Sequence, residues 1–406
     1  MPKSNFNLHL DMRKKLLSIV GLCALCFAGC GNDCDPKLDA VKRGIDHARY
    51  QLSQAAAEFD SLPGFPRSLM PKFRVVDAYD WTSGFFPGSL WLAYDLTGDE
   101  TLRAEAEKYT ARLDSIQYYR GTHDLGFMIF CSFGQQQRLL GDAASADVIV
   151  EAARSLSSRC NDRIGLIRSW DFGEWNYPVI IDNMMNLEML FWASKHTGDP
   201  VYRDIAVRHA DLTLRNHFRD DASSYHVVSY NNDGTVESRG TFQGYADSSA
   251  WARGQAWGLY GYTMCYRETG DEKYLAQAGR IADLVMNHPR TPEDRIPYWD
   301  YDAPQIPDAP RDASAAAVFA SALFELSTLV DDGQKYFDYA ETLLMNLSSD
   351  DYLAAKGTNG GFVLMHSVGH WPATSEIDTP LNYADYYYLE AIARYLKLRG
   401  VDPRTL

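Results

Sequence analysis

Cysteine is scarce where the chain folds. Of seven cysteines in 406 residues, Cys23, Cys26, Cys30 and Cys34 crowd into the first 34, which leaves Cys131, Cys160 and Cys265 for the body, with no CxxC spacing. Neither a disulfide framework nor a zinc site is indicated, and the three read as core thiols. Positive charge is also short: 39 Lys and Arg stand against 54 Asp and Glu, for a net charge of −15. Nucleic acid and anionic membranes need a basic patch, so both are excluded as partners. A small acidic ligand is not, because one or two Arg side chains can hold a carboxylate. No GxSxG elbow, HExxH pair or P-loop occurs, and GTNGG (357–361) lacks the strand–turn–helix setting of a nucleotide loop and reads as a turn.

What is present is a globular composition, 46% hydrophobic and 13% aromatic, long enough for one large closed architecture or two domains. The N-terminus has its own character. MRKKLLSIVGLCALCFAGC (12–30) runs from Arg13, Lys14 and Lys15 through an apolar stretch too short for an ordinary membrane span to Phe27-Ala28-Gly29 before Cys30. This is an export signal, with the pattern of a bacterial lipoprotein in which Cys30 carries the lipid; an ordinary signal peptide is the alternative. The expectation is a leader and tether over 1–34 and an exported protein, periplasmic or held to a membrane only through that lipid. Met12 is a candidate start, since residues 1–11 contain Asp11 and resemble no basic leader.

The body repeats itself. DLTGDETLRAEAEKY (95–109), KHTGDPVYRDIAVRHA (195–210) and RETGDEKYLAQAGRIA (267–282) each read as helix, Gly turn, helix, and 139–153 and 329–344 are weaker copies. Gly suits the position after a helix and Asp the cap of the next. Helices are expected over 36–58, 100–115, 142–159, 199–217, 271–288 and 333–348, each with a charged face. Between them 82–97, 124–140, 182–197, 247–269, 312–330 and 383–399 are far more apolar. A helix apolar all round is buried and one with a charged face is peripheral, so six inner helices ringed by six outer ones are predicted: an all-α (α/α)6 barrel over 35–406. An open solenoid is the alternative, disfavoured by irregular repeats and unequal loops. The tight turns all follow inner helices, whereas the long connections 60–81, 160–181, 218–246 and 289–311 gather at the other end, where sites are built.

At that end Asp182, after the β-branched Val179-Ile180-Ile181, opens one inner helix, and Asp124 opens the preceding one. Each alone could be a helix cap. Together in one cleft, one protonated and one ionised, they could perform acid–base chemistry on a sugar. A helix start lowers an Asp pKa, while burial among aromatics and a neighbouring carboxylate raise it; the expectation is that Asp182 holds the proton and Asp124 is ionised. Trp81, His123, His226, Gln243, Arg253 and Trp257 surround the pair. Arg253 and Trp257, four apart on one helix, offer a cation and an aromatic plane. A buried ion pair from Arg253 to Asp247 or another loop acid is the structural alternative.

These residues resemble the unsaturated glucuronyl hydrolases of glycoside hydrolase family 88. The likeness runs from DWTSGFFPGSLWLAYDLTGD through HDLGF, IIDNMMNLEML and GYADSSAWARGQAWGLYG to NYADYYYLEAIARYL. The resemblance implies an (α/α)6 barrel without metal or organic cofactor. It also implies hydration of the C4=C5 bond of a 4,5-unsaturated uronic acid at the non-reducing end of lyase-generated, glycosaminoglycan-type oligosaccharides, which frees that uronate. Asp182 matches the general acid/base, Asp124 the second essential carboxylate, and Trp81, His123, His226, Gln243, Arg253 and Trp257 match pocket positions. Relatives that prefer sulfated disaccharides carry a Ser/Lys cluster near the segment matching MHSVGHWPATSE (365–376), where this chain has Ser367 and no Lys. Two rival readings are an unsaturated rhamnogalacturonyl hydrolase acting on pectin fragments and a lipid-anchored glycan-binding protein without turnover.

Overall fold

Twelve α-helices alternate between two environments. In the computed structural model, which describes residues 35–406, they are α1 Pro36–Glu58, α2 Phe85–Thr97, α3 Glu100–Ala111, α4 Phe133–Leu140, α5 Ala143–Ser157, α6 Leu187–Thr197, α7 Pro200–Asn216, α8 Ala252–Thr269, α9 Glu272–Asn287, α10 Ala313–Leu326, α11 Gln334–Leu347 and α12 Asn382–Arg399. Pro36–Leu406 pack as one unit. The even-numbered helices form the inner ring, closed where α12 meets α2, and the odd-numbered ones lie outside. Sequence explains the division. In α9 only Tyr274, Gln277, Ala278, Ile281, Ala282 and Val285 are buried, a one-sided three–four spacing. In α10 every residue but Glu325 is buried, and its alanines let neighbouring helices approach closely.

The three strong repeats fold alike. Gly98, Gly198 and Gly270 each end an inner helix at a φ near +70°, which L residues with a Cβ resist. Before each glycine a Thr hydroxyl donates to a helix carbonyl and accepts the N–H of the Asp that follows the glycine. That Asp then accepts the N–H two residues on, in Thr101, Val201 or Lys273.

The long connections hold more regular structure than expected. They carry three small antiparallel sheets: β1 Phe65–Leu69 with β2 Phe73–Val76, β3 Pro178–Ile180 with β4 Val227–Tyr230 and β5 Val236–Gly240, and β6 Ser367–His370 with β7 Ser375–Thr379. Two inner helices also depart from expectation. The segment expected as 124–140 is a π-helical turn over Gly126–Phe130, broken at Ser132 before α4. The one expected from 182 opens as a 3-10 turn, Ile181–Asn186, ahead of α6. The helix expected from 247 begins at Ala252. Cys131 and Cys265 are buried and Cys160 half-buried, all as free thiols. Cys30 and the expected leader lie outside the described residues, among which no helix is long and apolar enough to cross a membrane.

Candidate active site

Strand register builds one half of the site. Ile180 pairs with Val227 across β3 and β4, and the Ile181 N–H donates to the His226 carbonyl at 3.0 Å. The residues adjoining that pairing, Asp182 and His226, therefore meet: His226 Nε2 lies 3.6 Å from Asp182 Oδ2. Asp182 caps nothing. The residue before its turn is Ile180, without a side-chain cap, and Asp182 Oδ2 is buried with no hydrogen-bond partner.

The other half is tied on by Asn186, whose Oδ1 accepts the Phe127 N–H at 3.0 Å. Gly126 makes that approach possible, since a Cβ there would lie 2.6 Å from Asn186 Oδ1 and 2.7 Å from its Cα. Two residues before Gly126 stands Asp124. Its Oδ2 accepts from Thr122 Oγ1 at 2.8 Å, and its Oδ1 lies 3.0 Å from His123 Nε2. That approach is not aligned as an N–H···O bond, and His123 Nε2 has no hydrogen-bond partner. Burial raises both acids to about 7; Arg253 opposes the rise at Asp182 and the charge of Asp124 adds to it, whereas at Asp124 the Thr122 hydroxyl opposes it. The charge of Asp124 thus reaches Asp182, and both carboxyls are raised alike.

Aromatic rings wall the site. Trp257 is wholly buried and packs on Phe127 at 5.2 Å, which in turn meets Trp81 at 5.5 Å. Gln243 is anchored rather than free: its amide donates to the Gly369 carbonyl at 3.0 Å, and its backbone N–H donates to His226 Nδ1 at 3.1 Å.

Arg253 takes the structural alternative, a buried ion pair, with an acid other than Asp247. Its partner is Asp312, at 3.1 Å with both side chains buried, while Asp247 accepts the Thr241 N–H. The same guanidinium donates to the carbonyls of Val368 and Gly369 at 2.6 and 2.7 Å. Only Arg253 Nε is left without a partner. Asp312 also caps α10, accepting from Ser314 and Ala315. Ser367 is buried and its Oγ accepts the Ser314 N–H.

Sequence reasoning missed the residues that hold these groups in place. Ser169 contacts His123 through its carbonyl at 2.8 Å. Trp251 lies under the Arg253 guanidinium at 4.4 Å, and Tyr383 touches Trp81 at 5.0 Å. A rim of Trp170, Phe172, Trp175, Phe242 and His370 flanks His226. Their only signal was the aromatic richness of the long loops.

Among the described residues no cluster of three or more His, Cys, Asp or Glu is placed to hold a metal ion. The site instead offers a set of unpaired buried polar atoms: Asp182 Oδ2, His123 Nε2, His226 Nε2, Trp257 Nε1 and Arg253 Nε. A buried polar atom without a partner costs free energy, and an oxygen-rich ligand would relieve all five.

No family model matches the chain. It is 49% identical over 337 residues to the unsaturated glucuronyl hydrolase of Formosa agariphila, spanning 81% of this chain and 84% of that protein. It is 32% identical to the unsaturated chondroitin disaccharide hydrolase of Streptococcus agalactiae, over 88% of this chain and 92% of the relative. The fold superimposes on the crystal structure of an unsaturated glucuronyl hydrolase specific for heparin with a TM-score of 0.88 and 53% identity, covering 90% of this chain and 99% of that one.

Proposed function

The chain belongs to the unsaturated glucuronyl hydrolases, and on that premise we propose that it hydrates the C4=C5 bond of an unsaturated uronic acid at the non-reducing end of glycosaminoglycan-derived disaccharides. The single observation that carries the assignment of residues is the orphaned, buried Asp182 Oδ2 with its carboxyl raised to about 7. A carboxyl poised near neutrality can give a proton and take one back in the same cycle.

In this reading Asp182 protonates C4 and then accepts a proton from the water that adds at C5. The C5 hemiketal opens: its C5 hydroxyl gives up a proton and becomes a ketone as the bond to the ring oxygen breaks, that oxygen takes a proton to become a hydroxyl on C1, and the resulting C1 hemiacetal expels the second sugar as an alcohol, leaving an aldehyde. Asp124 tunes the proton on Asp182. Trp81 and Trp257 line the sugar ring, His226 and Gln243 border the attacking side, His123 faces the pair, and Arg253 contributes Nε toward the uronate carboxylate while its other nitrogens brace the β6–β7 hairpin. Likeness to a heparin-specific relative at 53% identity favours heparin-type disaccharides over chondroitin-type ones.

The test follows the ultraviolet absorbance of the double bond with unsaturated disaccharides from heparin, chondroitin, hyaluronan and pectin lyase digests, using Asp182→Asn as control. Loss of absorbance with the wild type alone is expected, fastest with the heparin type. Pectin preference would move the assignment to a rhamnogalacturonyl hydrolase, and binding without loss would make it a glycan-binding protein.

We further propose export as a lipoprotein, supported by the Phe27-Ala28-Gly29-Cys30 pattern. Mass spectrometry of the mature N-terminus is expected to find an acylated Cys30, and an unmodified terminus downstream of it would sink that reading.

A further inference from the structure

Strand β3 is bonded along both edges. One edge pairs with β4, the register that brings His226 to Asp182. On the other stands Ser169, whose N–H donates to the Pro178 carbonyl at 2.9 Å and whose hydroxyl accepts the Ile180 N–H at 2.9 Å. A single residue thus does the work of a neighbouring strand, with its side chain supplying the second bond. The carbonyl of the same serine holds His123, accepting its ring Nδ1–H at 2.8 Å and its backbone N–H at 3.2 Å, with Arg159 at 3.4 Å. Ser169 therefore does for His123 what β4 does for His226.

Asn183 closes this joint from the turn that carries Asp182. Its Oδ1 accepts the Ser169 hydroxyl at 3.3 Å and its Nδ2 donates to the Ile167 carbonyl at 2.8 Å. A carbonyl only accepts, so both bonds fit one orientation of the amide. Ile167 is held in turn by His209, whose Nδ1 accepts its N–H at 3.1 Å. Ser169 is wholly buried and Asn183 is 1% exposed, so losing either partner strands polar groups where water cannot answer them.

We propose that Ser169 and Asn183 are positioning residues of the site, a single joint that fixes the arm carrying Asp182 against the arm carrying His123 and Asp124. Ser169 grips one arm at Ile180 and Asn183, which bracket Asp182, and the other at His123, which precedes Asp124. Two consequences follow for Asp182. Its place relative to the substrate depends on the joint, and a displacement of about 1 Å can cost about 10²-fold in rate. Its proton depends on the joint as well, because burial is what raises this carboxyl to about 7, and a loosened turn admits water beside it. The inference deepens the proposed function and rests on it for its kinetic half.

The variants are Ser169→Ala, which removes one oxygen and leaves His123 its carbonyl, Asn183→Ala, and the two combined. Ser155→Ala is the control: that serine is equally buried, and its hydroxyl donates to the Gln117 carbonyl at 2.7 Å on the outer helix α5. Ser169→Ala is expected to lower kcat about 10²-fold with KM within about threefold, and the double variant to be no slower than the slower single one within about threefold. Losses that multiply, or a near-normal kcat in Ser169→Ala, overturn the joint. The infrared carbonyl band of the protonated carboxyl that Asp182→Asn removes follows the same proton without turnover. Its titration midpoint should fall by about one pH unit or more in Ser169→Ala and Asn183→Ala and stay in place in Ser155→Ala. An unmoved midpoint overturns the proposal, since a role confined to stability lowers the melting temperature and leaves the midpoint alone. Ser169→Ala, the milder change, decides by itself if Asn183→Ala does not fold. A wild type that hydrates no unsaturated uronate would sink the proposed function, and the infrared midpoints would still decide the joint.

Discussion

The two ends of the barrel are built from the same twelve helices and obey opposite rules. At the tight-turn end nearly every polar group is answered. Arg267 joins Glu188 and Glu325, Arg394 joins Glu325 and Tyr260, and Glu390 takes Ser321 and Tyr260. A chamber of about 970 Å³ lies there, lined by these charges with Phe130, Trp192 and Phe324. At the mouth buried polar atoms of Asp182, His123, His226, Trp257 and Arg253, and of Trp170 and Tyr383 beside them, have no hydrogen-bond partner. A roomy chamber thus lies at one end and the unmet hydrogen bonding at the other. Unmet bonding is the better guide to chemistry, because a site must keep donors and acceptors free for its ligand.

The largest effect should come from the least satisfied atom. Asp182→Asn is expected to lower turnover by at least about 10³-fold with an unaltered melting temperature, as read by the absorbance assay beside circular dichroism; a near-normal rate would break the comparison at its centre. Next comes pH. Asp182 must be protonated to act, and that proton is lost as pH rises through about 7, so kcat should decline about tenfold per unit on the alkaline side. A rate that stays level well above neutrality would place the working proton elsewhere.

Arg253→Met joins the two behaviours in one variant, since it strands the fully buried Asp312 and removes a site donor. A loss of about 3–5 kcal/mol in urea unfolding is expected, together with a raised KM. Arg394→Met sharpens the contrast from the far end: it should cost about 2 kcal/mol, discounted for partial exposure, with kcat changed by less than about twofold. A large activity loss in that variant would mean that the far chamber communicates with the mouth. The smallest effect is expected for Asp99→Ala, a cap lost from one of three equivalent turns, at about 1 kcal/mol and with no kinetic consequence.

Much of this was legible because its causes are local. The TGD turns depend on neighbours within four residues, so Gly98, Gly198 and Gly270 announced themselves, and the inner and outer helices followed from their polarity. Caps at Asp99, Asp199 and Asp271 were readable for the same reason. Asp182 looked identical to them in sequence and is not a cap, because β3 pairs with a strand some fifty residues away and turns its side chain into the cleft. The short strands escaped notice because each draws its stability from a partner across a long loop. Arg253 was recognisable as a buried cation needing an anion, but several loop acids were eligible.

Sequence alone therefore determined the helix count, the alternation of buried and exposed helices, the end at which loops accumulate and the pair of acids placed there, since periodicity, turn chemistry and loop length act within a few residues of chain. Tertiary structure decided which histidine nitrogen faces each acid, that Arg253 answers Asp312, and that a set of buried polar atoms at the mouth stays unpaired. Those outcomes depend on strand register and on burial contributed by segments remote in sequence, and burial is what moves both carboxyls from about 3.8 to about 7.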